Sequence, residues 1–200
     1  MSLRKIMLGL VILLSVGLAG VILYSATNML NRHFISQEKK DISLNIQQVK
    51  NTLDFQLDFL AKTGNDWSNW DDTYAFTAGE YPEFAADNLS LVTYQNLRVD
   101  FLAFIDPALN VVYSGVIGKE GSLEQRVPPE IAAHLVQGDV LVGGPDHGVN
   151  KRGLIVVDNR PMLIVSHPIL RTDRGGPANG TFLLGKFIDQ SLSSTLCEIS

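Results

Sequence analysis

VDFLAFIDPALNVVYSGVI, Val99 to Ile117, is the stretch that decides the fold class. Val99–Ile105 and Val111–Ile117 are rich in β-branched and aromatic residues, and DPALN (Asp106–Asn110) between them supplies turn residues, so the whole reads as a β-hairpin. Three more runs share that character: Gly153–Val157, Pro161–Leu170 and Thr181–Ile188. Asp158-Asn159-Arg160 turns the first into the second, and the glycine-rich loop TDRGGPANG, Thr172–Gly180, joins the second to the third. Five strands in hairpin order predict an antiparallel sheet.

Upstream of the sheet the period changes from two to that of a helix. No Gly or Pro occurs from Val21 to Thr63, which leaves one helix free to run for about 64 Å. Ile42, Ile46, Val49, Leu53, Leu57 and Leu60 form an apolar stripe on it, while Glu38, Lys39, Lys40, Asp41, Lys50 and Asp54 take other faces. The stripe suits packing on its own domain and pairing with a second copy. Gly64 is expected to end this helix, with Asn65 or Asp66 capping the next. In that second helix, DWSNWDDTYAF (Asp66–Phe76) would place Trp67, Trp70, Asp71 and Tyr74 within an arc of about 100°. A carboxylate set among three aromatic rings loses hydration and needs donors, from a neighbouring loop or from a ligand. Farther on, Asn88 is placed to cap a short helix reaching Leu97, and Pro128 and Pro129 start another, PPEIAAHL.

Ahead of the stripe, Ile6–Ala26 carries no charge. Twenty-one helical residues span about 31 Å, the thickness of a bilayer core. The run exceeds the h-region of a signal peptide and lacks an A-x-A-like cleavage site, so an uncleaved anchor is the reading preferred over a signal peptide. Arg4 and Lys5 before it put the N-terminus in the cytoplasm and everything after about residue 31 outside. That outer portion holds 14 Lys and Arg against 21 Asp and Glu. An acidic surface of this kind speaks against nucleic-acid binding. The single cysteine, Cys197, forms no internal disulfide.

The run DWSNWDDTYAF, then LRVDFLAFIDPALNVVYSGVI, then PMLIVSHPIL with a glycine-rich loop and TFLLGKFID, resembles the fourth class of CHASE domains over about Arg32–Ser200. Its W-x-x-W-D-x-x-Y core is Trp67, Trp70, Asp71 and Tyr74. The resemblance implies an extracellular sensory module of bacterial receptors, with a Cache- or PAS-type sheet on a membrane-proximal helix. Such modules usually lie between two membrane spans and feed a histidine kinase, diguanylate cyclase or phosphodiesterase. No second span precedes Ser200, and the resemblance dictates no particular ligand.

Catalytic motifs are missing from the sequence. GTFLLGK, Gly180–Lys186, imitates a phosphate loop, but Phe187 replaces the required Ser or Thr and the interior is an apolar strand. His33, His134, His147 and His167 lack metal-ligand spacing, and no GxSxG, HExxH or cysteine–base pair occurs. Two strand positions do break the apolar rows: His167 among Leu163, Val165 and Ile169, and Lys186 among Phe182, Leu184 and Ile188. Together with Asp71 they are expected to form a polar centre in an apolar pocket.

The sequence therefore predicts an α+β protein: a cytoplasmic tip and transmembrane anchor (1–31), a long stalk or dimer helix (32–63), a PAS/Cache-like sensor domain with five or more antiparallel strands (64–190), and a C-terminal helix leading back to the membrane (191–200). Its expected function is extracytoplasmic sensing for a receptor in the bacterial inner membrane. It would act as a homodimer, without cofactor, metal or catalysis of its own, and would bind a small molecule or periplasmic partner through Trp67, Trp70, Asp71, Tyr74, His167 and Lys186. The rival readings are a membrane-anchored envelope enzyme using Asp71, His147 or His167, and a ligand-free dimerisation scaffold.

Overall fold

A computed structural model describes residues 3–142 and 151–188, with side chains described outside 3–6, 11–12 and 26–45. The helix expected over 191–200, Cys197 and the Asp146–His147 turn lie outside the described residues, as does the Ile42 side chain. Two compact units divide the chain, essentially Met1–Val49 and Lys50–Glu198.

The first unit consists of the leading part of α1 (Leu3–Ser68). Within it Met7–Ser25 is long and apolar enough to cross a membrane. Its described side chains, among them Leu13, Val16, Ile22 and Tyr24, are exposed. A helix of that length and apolar composition suits a bilayer span.

The second unit holds the end of α1, then α2 (Asp71–Thr77), α3 (Phe84–Asn88), α4 (Leu91–Leu97), β1 (Phe101–Ile105), β2 (Val111–Ile117), β3 (Leu123–Glu124), α5 (Pro129–Ala132), β4 (Lys151–Val157), β5 (Arg160–Pro168) and β6 (Thr181–Phe187). The strands form one antiparallel sheet in the order β3-β2-β1-β6-β5-β4. The expected hairpin is β1–β2, and its turn is tied by Asp106, whose Oδ1 and Oδ2 accept from the Asn110 N–H and Nδ2, both at 2.8 Å. Asp158 and Asn159 take positive φ (50° and 60°), the geometry of the tight β4–β5 turn. β3 was not foreseen, since two residues carry no periodicity.

Alternation along the strands splits the apolar residues between two faces. On one, Leu102, Phe104, Leu163, Val165, Phe182 and Leu184 pack with Leu60 of α1, Phe76 of α2, Phe84 of α3 and Tyr94 of α4. On the other, Phe101, Ala103, Ile105, Met162, Ile164 and Leu183 pack with Ile131 of α5 and with Leu141 and Val142. β1 and β6 lie side by side at the centre, which explains why both are buried along almost their whole length.

Three expectations are corrected. Gly64 does not end the first helix: α1 continues to Ser68, and the break falls at Asn69–Trp70, with Trp70 extended (φ −95°, ψ 140°) ahead of α2. The carbonyl of Asn65 marks that end, accepting from Asn69 Nδ2 (2.6 Å) and Ser68 Oγ (3.2 Å). Neither Asn65 nor Asp66 caps a helix. The short helix expected after Asn88 is capped instead by Ser90, which accepts from the Thr93 N–H at 3.4 Å, while Asn88 closes α3 by donating to the Phe84 carbonyl.

Candidate functional site

The end of α1, α2 and the β5–β6 loop meet along a seam. Gly64 sits inside the helix because of what faces it: a Cβ there would lie 2.5 Å from His167 Cδ2 and 2.6 Å from Nε2. His167 is 1% exposed, and burial pushes its imidazole down to about 4, so it is neutral at physiological pH. One turn on, the Ser68 carbonyl accepts from the Leu170 N–H (2.9 Å), and then Asp71 Oδ1 accepts from the Thr172 N–H (3.1 Å). At Tyr74 the carbonyl accepts from Asn179 Nδ2 (2.9 Å), and Arg171 places its guanidinium 4.4 Å from the ring centroid.

The four residues of the aromatic–acidic motif are thus brought together, but not as one helical face. Trp67 belongs to α1 and Trp70 to the break, where their rings stack with centroids 5.1 Å apart. Trp67 packs against the core, as does Tyr74, whereas Trp70 is 42% exposed. Asp71 and Asp72 stand in the first turn of α2, where negative charge is favoured by the exposed N–H groups. Asp71 is exposed and holds the loop.

Lys186 does not join them. The β5–β6 register sets His167 against Phe182 and Lys186 against Leu163, four residues apart along β5, or about 13 Å. The polar centre expected from Asp71, His167 and Lys186 therefore does not form. Lys186 Nζ instead donates to the Arg98 carbonyl (3.3 Å) at the C-terminus of α4, where a cation meets the free carbonyls. Lys186 also lines an open cavity of about 280 Å³ with Leu91, Tyr94, Gln95, Arg98 and Asp100.

Sequence reasoning missed the polar groups on the other face of the sheet. Ser114 of β2 donates to the Arg126 carbonyl (2.9 Å), Ser166 of β5 to the Leu141 carbonyl (2.6 Å), and Thr181 of β6 to the Val142 carbonyl (3.5 Å). Arg126 also pairs with Glu124 (2.8 Å) and Asp158 (2.5 Å), and Glu130 accepts from the Asp158 N–H. Three strands thus hold the segment from Arg126 to Val142 across the sheet. Small hydroxyls inside apolar strands give no periodic signal by which to find them.

The CHASE4 domain model matches residues 52–200. The chain belongs to the CHASE4 domain family. It is a signal-sensing domain, as the resemblance implied. The chain is 30% identical over 159 residues to the methanogenesis regulatory histidine kinase FilI of Methanothrix harundinacea (strain 6Ac), a match that covers 77% of this chain but 18% of that kinase. Among solved structures, the extracellular domain of vpHK1S-Z8, described as a histidine kinase, aligns with a TM-score of 0.52 at 11% identity over 81% of this chain and 62% of that one. A methyl-accepting chemotaxis protein X aligns with a TM-score of 0.51 at 9% identity over 80% and 66%. These likenesses establish the fold: the CHASE4 sheet, with its six antiparallel strands, is of the PAS/Cache type.

Proposed function

We propose that this CHASE4 domain is the extracytoplasmic sensor of a transmembrane receptor, anchored by Met7–Ser25 and signalling to a histidine kinase or cyclic-di-GMP enzyme of the same receptor. The observation that carries this reading is α1 itself: the candidate span and the fully buried core residue Leu60 belong to one unbroken helix, Leu3–Ser68. A stimulus that alters the sheet has a covalent, hydrogen-bonded route to the membrane helix. The reading is of a binding module without catalysis, and a small molecule is its stimulus.

Of the six residues singled out by the sequence, Lys186 opens onto a cavity, with Arg98, Gln95 and Asp100 as further polar groups in its lining. Asp71, Tyr74 and His167 hold the seam, and Trp67 and Trp70 stack on each other beside it. Pairing with a second copy belongs to the same reading. Leu53, Leu57 and Leu60 are taken up by the domain's own core, but Phe55 is 73% exposed, and Phe59 is exposed one turn on. Anchoring in one bilayer holds two copies parallel, so this face meets its equivalent.

Thermal unfolding of the detergent-solubilised chain against a panel of small metabolites tests the binding role. A true ligand raises the midpoint because it stabilises the fold by about 2.7 kcal/mol at one hundred times its Kd, and by more as the logarithm of its concentration grows. Loss of that shift in Lys186→Met assigns the cavity; chemical conversion of any panel member would replace the sensor with an enzyme.

A further inference from the structure

A glycine in the interior of a long helix costs about 1 kcal/mol relative to alanine, so its presence at Gly64 calls for a reason. The reason is the buried ring of His167, which occupies the volume of the missing Cβ. Ring and notch fit at one position only. Sliding α1 by a residue along its axis, or turning it, would bring a side chain against the imidazole. The contact therefore fixes both the height and the rotation of α1 above β5.

Further contacts follow along both segments. Gly64 meets His167, Ser68 meets Leu170, Asp71 meets Thr172, and Tyr74 meets Asn179 and Arg171. Three of these partners, Arg171, Thr172 and Asn179, belong to the exposed loop between β5 and β6. The far end of that loop is fixed as well: Gly180 has φ +107°, and a Cβ there would strike the Ile105 carbonyl of β1. Between its fixed ends, Arg174 and Gly176 also take positive φ (58° and 82°).

We propose that the Gly64–His167 contact sets the register of α1 against β5 and joins the last turn of α1, with α2 after it, to the β5–β6 loop as one mechanical unit, so that a stimulus displacing the loop is delivered through α2 to α1. The functional meaning of this unit rests on the sensory role proposed above; its mechanics do not. Asp71 and Asn179 are positioning residues in it, acting through the backbone groups that they hold.

Amide hydrogen exchange on the full chain in detergent micelles reads the coupling directly. In Gly64→Ala the added methyl drives α1 off the ring, and the Leu170 and Thr172 amides exchange at least about tenfold faster, while the β1–β2 ladder at Leu102 and Ala103 keeps its protection. Adding His167→Ala to Gly64→Ala frees the space and restores protection at Leu170. Where Gly64→Ala does not fold, Asn179→Ala gives the same reading from the other side: cutting the loop's bond to Tyr74 speeds exchange in the α1 amides Asn65–Ser68. Equal acceleration throughout the sheet, no change at Leu170, or no rescue by the double substitution overturns the proposal. These outcomes stand whether or not a ligand is found, so failure of the seam and failure of the sensory reading are separate results.

Discussion

At the scale of single residues, burial decides what each group of the motif contributes. Trp67 packs against the core and Trp70 stands largely outside it, so the two tryptophans are unequal although the sequence presents them alike. Trp67→Ala is expected to cost about 2 to 4 kcal/mol and Trp70→Ala about 1, measured by denaturant unfolding; equal costs would contradict the split. Asp71→Asn keeps an acceptor for the Thr172 N–H, so stability should change by less than about 1 kcal/mol. His167 gives a pH dependence whose sign follows from its burial. Its pKa is about 4 in the fold against 6.5 for a free imidazole, so the unfolded chain binds the proton more readily between those values. The stability at issue is complete above about pH 6.5 and declines as pH falls towards 4, by up to about 3 kcal/mol. His167→Gln, which cannot titrate, should show a flatter profile across that window than the parent chain. An unchanged slope would place the acid sensitivity elsewhere.

At the scale of elements, one face of α1 and its opposite have different employments. Leu53, Leu57 and Leu60 belong to the core of the second unit, and Leu60→Ala should cost about 2 to 5 kcal/mol. Thr52, Phe55, Phe59 and Lys62 lie within an arc of about 80° on the other side and are all exposed. Single cysteines at these four positions, in a Cys197→Ser background, should cross-link in membranes if the proposed pairing uses this face, whereas cysteines at Leu53 and Leu57 should not; the reverse order would return the proposed pairing to the original stripe. How far these elements were legible depended on whether their signal was periodic. The β1–β2 and β4–β5 hairpins were readable because apolar runs flank turn residues that take positive φ or bond their own backbone. The end of α1 was misread at Gly64 because a glycine that stops a helix and a glycine that admits a ring look identical until the facing strand is known. The hydroxyls of Ser114, Ser166 and Thr181 were invisible for the same reason: their partners are carbonyls 12 to 39 residues away in the chain.

At the scale of the whole molecule, the charge pattern bears on the side of the membrane on which the sheet lies. Arg4 and Lys5 precede the candidate span Met7–Ser25, and positive residues flanking a span are retained in the cytoplasm. The residues beyond it carry an excess of acidic groups, which oppose export little. A Gln37→Cys variant, again in a Cys197→Ser background so that the native thiol cannot report, places one thiol just past the span. It should react with a membrane-impermeant maleimide added to intact cells, at a yield that lysis does not raise. Labelling only after lysis would put the CHASE4 domain in the cytoplasm and remove the extracytoplasmic sensor reading, while leaving the fold and the Gly64–His167 seam untouched. Mass measurement on the same labelled protein separates an anchor from a cleaved leader. A chain retaining Met7–Ser25 keeps the helical route from the sheet to the bilayer, whereas a chain beginning near Ala26 has lost it, and no movement of α1 then has a membrane helix to act on.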